Sequence, residues 1–208
     1  DGERLELWPS ASDAQTAQAL AAGATGGKAM PMIGLHPGAS VRWKTKQWEA
    51  AKWAELRDRL DANGFRVVIT GAAPDAALAE EIARRAKSKP VLLIGKTRVL
   101  ELACLIRRFS AYVTTDSAPL HLASAVGTPT VALFGPTDPA RHVVPSRRTT
   151  VLFKRVFCSP CYSPRCRTVT HACMARLGVD EVMDAVDALL HAALDALPQP
   201  SAEEAPAS

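Results

Sequence analysis

No run of about 18 uncharged apolar residues occurs anywhere in the 208 residues, so the sequence holds no candidate membrane-spanning helix. The opening Asp1-Gly2-Glu3-Arg4 lacks the basic and apolar regions of a signal peptide, and an intracellular protein is expected. Two common phosphate-binding glycine signatures are missing as well: there is no G-x-x-x-x-G-K-[ST] string and no G-x-G-x-x-G string. Acidic residues are absent from 139 through 179, where Arg141, Arg147, Arg148, Lys154, Arg155, Arg165, Arg167 and Arg176 stand. Such a block is either a solvated basic face or the complement of an anionic partner, whether nucleic acid, membrane surface or acidic substrate. Five cysteines in a chain this long do not make a small secreted disulfide scaffold, which leaves thiols or metal ligands.

What is present is the profile of a soluble domain with a sizeable core: 48% hydrophobic residues, 22% charged, and a mean hydropathy of +0.01. Residues 1–31 hold a strand-like Leu5-Glu6-Leu7 and then Ala-, Gly- and Ser-rich sequence up to Pro31, the composition of an inter-domain linker with a strand remnant. From Met32 to Leu197 short apolar runs alternate with amphipathic stretches, which predicts a Rossmann-like parallel sheet with helices on both faces. Six runs qualify: 32–35, 65–70, 91–94, 111–114, 130–134 and 151–153. Helices are expected from about Trp48 to Asn63, from Pro74 to about Lys87, through Leu102, Leu105 and Ile106, after Asp116, and from Val179 to about Leu197. The Pro/Ala/Ser/Glu tail from 198 to 208 cannot bury a core and is expected to be disordered.

In doubly wound sheets ligands bind beyond the carboxyl ends of the strands, so the loops after the apolar runs are the places to search. The first, His36 to Lys46, offers Gly38 for close backbone approach, the Ser40 hydroxyl, and cations at Arg42, Lys44 and Lys46. Another, Thr114-Thr115-Asp116-Ser117-Ala118-Pro119, leads from a strand into a helix, with Ser117 a candidate N-cap and Pro119 near the favoured first position. Exposed amides at that helix start, with the helix dipole, suit an anion, and His121 on the first turn adds a third donor. Taken alone, His121 is better explained as a hydrogen-bonded packing histidine, and Asp116 is equally explained as a cap or a structural acceptor.

Together these segments resemble a known family. His36-Pro37-Gly38-Ala39-Ser40, Lys46-Gln47-Trp48, Asp116 through Ala123 and Gly127 through Pro139 are similar, in order and spacing, to glycosyltransferase family nine, the bacterial ADP-heptose:lipopolysaccharide heptosyltransferases. The resemblance implies a GT-B architecture of two Rossmann-like domains facing a cleft, with this chain similar to the carboxyl-terminal, donor-binding half. It implies that Ser40 and Lys46 contact the ADP diphosphate, and that the Ser117 and Ala118 amides with His121 hold the phosphates from the helix side. Asp116 falls at the donor sugar or orders the turn, Asp75 falls where the family places a ribose-gripping glutamate, and Thr97 falls where adenine is contacted. The catalytic set so implied is Lys46, Asp116 and His121. The family's general base is an aspartate in the amino-terminal domain, which is expected as a partner of this chain. The implied acceptor is the anionic inner core of lipopolysaccharide, opposite the basic block, and the implied location is the cytoplasm, peripheral at the inner face of the inner membrane. No cofactor is implied as required.

Two departures stand out: Ala118 replaces a frequent glycine, and Asp75 is one methylene shorter than glutamate. Separately, Cys158-x2-Cys161-x4-Cys166-x6-Cys173 puts four thiols in one short segment, either packing thiols, occasional disulfides, or a tetrahedral Zn or Fe site. A competing function is a stand-alone module that binds nucleotide or nucleotide sugar without turnover. A metal-stabilised nucleic-acid finger fits worse, because the cysteine segment has no aromatics beyond Phe157 and Tyr162, and no nucleic-acid partner is expected.

Overall fold

The computed structural model describes residues 5–144 and 146–195. Six parallel strands form one sheet: β1 (Met32–His36), β2 (Arg66–Gly71), β3 (Val91–Ile94), β4 (Ala111–Thr115), β5 (Thr130–Phe134) and β6 (Thr149–Phe153). Their order across the sheet is β3-β2-β1-β4-β5-β6. The helices are α1 (Ala11–Thr25), α2 (Ala50–Ala62), α3 (Ala76–Arg85), α4 (Val99–Ile106), α5 (Ala118–Val126), α6 (Pro139–His142), α7 (Ala172–Ala175) and α8 (Val179–Asp195). Each apolar run in the sequence became a strand because it is short, bounded by turn residues and apolar on both faces, as a strand covered on both sides must be.

Alternate strand residues feed cores on opposite faces of the sheet, with a smaller third cluster of Leu120, Ala132 and Phe134. Ile33, Leu35, Val67, Ile69, Val113, Val131 and Leu133 face α2, α3 and α8, whose Trp53, Leu56, Ile82, Val182 and Val186 complete that layer. Met32, Val68 and Tyr112 face the other way, against Ala17 and Ala21 of α1, Leu105 and Ile106 of α4, and Ala123 of α5. Gly34 opens the second layer. A β-carbon there would lie 2.5 Å from both Phe109 and Tyr112, whose rings stack 5.8 Å apart over it.

The segment expected to be a linker holds α1. Ser10 caps it reciprocally with Asp13: Ser10 N–H donates to Asp13 Oδ2 at 2.8 Å and the Asp13 amide donates to Ser10 Oγ at 3.2 Å. Ala17, Ala21 and Ala24 pack against the sheet layer that includes α4. Residues 5–10 show no strand, so Leu5-Glu6-Leu7 is not a sheet element here. The tail expected to be disordered, 198–208, lies outside the described residues. Among the described residues no helix is long and apolar enough to cross a membrane.

Candidate functional site

The strand order reverses between β1 and β4, so the loops leaving those two neighbours run to opposite sides and open a crevice between them. The predicted residues gather at that crevice. Thr115 Oγ1 donates to Gly38 O at 2.8 Å, tying the end of β4 to the β1 loop. Beyond Ser40 the loop makes a 3₁₀ turn, Val41–Lys46, that brings Lys46 back over the sheet. There Lys46 Nζ meets Asp116 Oδ2 at 2.6 Å, with the lysine side chain 14% exposed and the aspartate 5%. Thr137, in the turn after β5, donates to the same Asp116 oxygen at 2.6 Å. The ammonium also lies 5.0 Å from the centre of the Trp43 ring.

A buried carboxylate survives only when paired and hydrogen-bonded, and Asp116 has both partners. The consequence for Lys46 is positional. An ammonium has three donors, so with one spent on Asp116 it keeps two for an incoming anion, on a long side chain that is already fixed.

The start of α5 lies directly after Asp116. Ser117 is its N-cap in extended conformation, but its hydroxyl turns back, donating to Thr115 O at 3.3 Å, and does not cap the helix. Pro119 holds the second helical position, where it has no N–H to leave unpaired. Among the described residues the Ser117 and Ala118 amides carry no hydrogen bond, which leaves two donors at the positive end of the helix dipole. His121, half-buried on the first turn, likewise shows no hydrogen bond among the described residues.

On the other side of the crevice, Asp75 closes the β2 loop. Its Oδ2 accepts from the Ala72 N–H at 2.8 Å, and a β-carbon at Gly38 would lie 2.5 Å from that same oxygen. Gly38 is therefore glycine because the Asp75 carboxylate lies against its backbone. Burial pushes the Asp75 carboxyl above its ordinary value, with the Ala72 amide pulling back. The β3 loop joins this rim through Gly95 N–H, which donates to Gly71 O at 2.8 Å. Thr97 sits half-buried on that loop, two strands from the switch point, and Ser40 is exposed. Neither side chain is hydrogen-bonded to the Lys46–Asp116 pair among the described residues. Below the crevice His36 is buried against Thr70, 3.2 Å from Nδ1 to Oγ1, and burial pushes its imidazole down to about 4.

Of the three alternatives for the cysteine segment, the Zn or Fe site is not supported by the structure. Among the described residues no group of three or more His, Cys, Asp or Glu side chains is arranged to hold a metal, and all five cysteines are free thiols. The four cysteines of the segment line one small cavity, but they differ in exposure. Cys173 is buried where a β-carbon on Gly135 would lie 3.1 Å from its Sγ, while Cys166 is exposed with its Sγ 3.4 Å from Thr168 Oγ1. Thr137 and Trp43 are the site residues not anticipated. Thr137 became a partner of Asp116 only through the β4–β5 pairing that sets Thr115 beside Leu133.

A doubly wound sheet with a fixed cation and free helix-end amides at its switch point has the chemistry to receive an anion such as a phosphate. Residues 3–171 match glycosyltransferase family 9 (heptosyltransferase), and the chain belongs to that family. It is similar to lipopolysaccharide heptosyltransferase 3 of Escherichia coli K12, 44% identical over 96 residues, which is 45% of this chain and 28% of that protein. Among solved structures, E. coli ADP-heptose lps heptosyltransferase II superposes with a TM-score of 0.73 at 26% identity, over 91% of this chain and 54% of that one. A family 9 glycosyl transferase from Veillonella parvula gives a TM-score of 0.79 at 23% identity, over 90% of this chain and 54% of that one. The chain thus spans about half the length of these solved structures and less of the curated relative.

Proposed function

We propose that this chain is the carboxyl-terminal, donor-binding half of an inverting GT-B glycosyltransferase that moves heptose from ADP-heptose to the lipopolysaccharide inner core. The observation that carries the proposal is Lys46, held by Asp116 at 2.6 Å beside the open amides of α5, at the switch point of the sheet. That the family's solved members include an ADP-heptose transferase supports the choice of donor.

An inverting transfer needs a base on one face of the anomeric carbon and stabilisation of the departing diphosphate on the other. This chain supplies the second. As the bond between the anomeric carbon and the phosphate oxygen lengthens, negative charge grows on the leaving ADP. Lys46 and the Ser117 and Ala118 amides meet that charge without having to reorganise, because Asp116, Thr137 and the helix already fix them. His121 adds a donor from the first turn, Ser40 contacts the diphosphate from the β1 loop, Asp75 takes the ribose hydroxyls, and Thr97 lines the adenine end. The general base belongs to the amino-terminal domain, and the exposed arginines of 139–179 face the anionic acceptor. The chain alone therefore binds donor weakly and transfers nothing.

Calorimetry on Lys46→Ala tests this. Loss of a charge-assisted contact is expected to weaken ADP by about 10- to 100-fold while adenosine binding changes little. Because Lys46→Ala leaves Asp116 buried and unpaired, the double variant with Asp116→Asn is measured beside it and is expected to show the same split. Equal losses for ADP and adenosine in both variants would remove Lys46 from the phosphate site.

A further inference from the structure

Asp116 has two partners, and each rides on a loop leaving the sheet: Lys46 at the end of the 41–46 turn and Thr137 in the turn after β5. Within the 41–46 turn Val41, Arg42 and Lys44 are exposed, Trp43 breaks the helical geometry at φ −113° and ψ 48°, and Thr45 is the one buried residue. Both bonds of Thr45 go to the segment after β6. Thr45 Oγ1 donates to Ser163 O at 2.9 Å, and His171 Nε2 donates to Thr45 O at 2.5 Å. The same segment grips the other loop on both sides of Thr137. Tyr162 N–H donates to Pro136 O at 2.8 Å, the Asp138 amide donates to the Tyr162 hydroxyl at 3.2 Å, and Ser159 Oγ donates to Gly135 O. Thr45, Pro136, Ser159, Ser163 and His171 all line one small cavity of about 30 Å³, so the two grips meet at one place.

We propose that residues 159–171 are a clamp that sets the two partners of Asp116, with Thr45 and His171 the positioning residues that hold Lys46 to the diphosphate. The proposal rests on the donor-site reading for what Lys46 does, and on the hydrogen bonds alone for what holds it. Asp116 fixes the tip of the Lys46 side chain, and Thr45 fixes its root. A long lysine on an exposed turn otherwise keeps rotamer and backbone freedom that must be lost when the anion binds. Charge meets a leaving diphosphate most effectively when it has no reorganising left to do. The two bonds to Thr45 are independent: Ser163 offers a carbonyl to the hydroxyl, and His171 offers an N–H, because the Thr45 carbonyl can only accept. All the non-glycine residues with left-handed backbone among the described residues fall in this segment, Tyr162 at φ 49°, Val169 at 58° and His171 at 47°. Two of them, Tyr162 and His171, make the gripping contacts. Backbone strain of this kind persists where surrounding contacts enforce a shape.

The test uses the full chain, with ADP and adenosine calorimetry and amide hydrogen exchange across 41–46. Thr45→Val keeps the shape and removes the hydroxyl, whereas Thr45→Ser keeps the hydroxyl; His171→Ala removes the N–H and His171→Gln returns one. Thr45→Val and His171→Ala are each expected to weaken ADP by about fivefold, the worth of one lost hydrogen bond, with adenosine unchanged. Thr45→Ser and His171→Gln are expected to restore most of that loss. In a background of Lys46→Ala with Asp116→Asn, Thr45→Val should weaken ADP no further, because the group it positions is gone. Unchanged ADP binding in Thr45→Val and His171→Ala, equal losses for ADP and adenosine, or the same loss in the background without Lys46 would each overturn the proposal. Failure of the parent chain to bind ADP would instead count against the donor site. Exchange would then still decide the clamp: it is expected to be about fivefold faster across 41–46 in Thr45→Val than in Thr45→Ser, and equal rates would overturn it.

Discussion

Gly38→Ala is expected to disturb the crevice entirely through Asp75. The new β-carbon would lie 2.5, 2.6 and 2.7 Å from Asp75 Oδ2, Cγ and Oδ1, inside any tolerable contact. The carboxylate cannot simply withdraw. Its Oδ2 is held by the Ala72 amide at 2.8 Å. Accommodation therefore breaks the Ala72–Asp75 bond. For a half-buried charged acceptor that is a loss of about 1–2 kcal/mol, or a melting temperature lower by about 3–6 °C in a chain of this size. In an Asp75→Ala background the three clashing atoms are gone, so the same Gly38→Ala change should cost almost nothing. The assay is a double-mutant cycle by urea denaturation, in which coupling of about 1–2 kcal/mol is expected. Additive effects would refute the claim that Gly38 exists to seat Asp75.

Thr137→Val keeps shape and removes the hydroxyl that donates to Asp116. It is expected to cost about 2 kcal/mol by denaturation and to weaken ADP in calorimetry; no change in either would show that Lys46 alone suffices to hold Asp116. Stability should also fall on acidification through His36. Its folded imidazole is pushed down to about 4, below its ordinary 6.5, so the unfolded chain binds the proton more readily. The contribution is whole above about pH 6.5 and lost as pH falls towards 4, amounting to roughly 3 kcal/mol. Denaturation at pH 7, 5.5 and 4.5 measures it, and His36→Phe should flatten that part of the profile.

Most of the sheet could be read from the sequence because its strands are short apolar runs punctuated by glycine and proline, and the pattern demands cover on both faces. The helix α1 could not. Its buried apolar residues are Ala17, Ala21 and Ala24 among further alanines and glycines, so its two faces barely differ in hydropathy, although Ser10 and Asp13 carried a capping signal. Lys46 and Asp116 were each nameable from their loops and from the family resemblance. Their mutual contact depends on β1 and β4 being neighbours, which local sequence does not encode. Thr137 was invisible for the same reason. The cysteine spacing foretold that the four thiols would gather, and they line one small cavity, but spacing alone does not give the ligand geometry a tetrahedral site needs.

Titration of the chain with ADP and with UDP by calorimetry tests the donor-site proposal most directly. One saturable ADP site, weakened when Lys46 is replaced and preferred over UDP, is the predicted result. No ADP binding, or a preference for the uridine nucleotide, would contradict it.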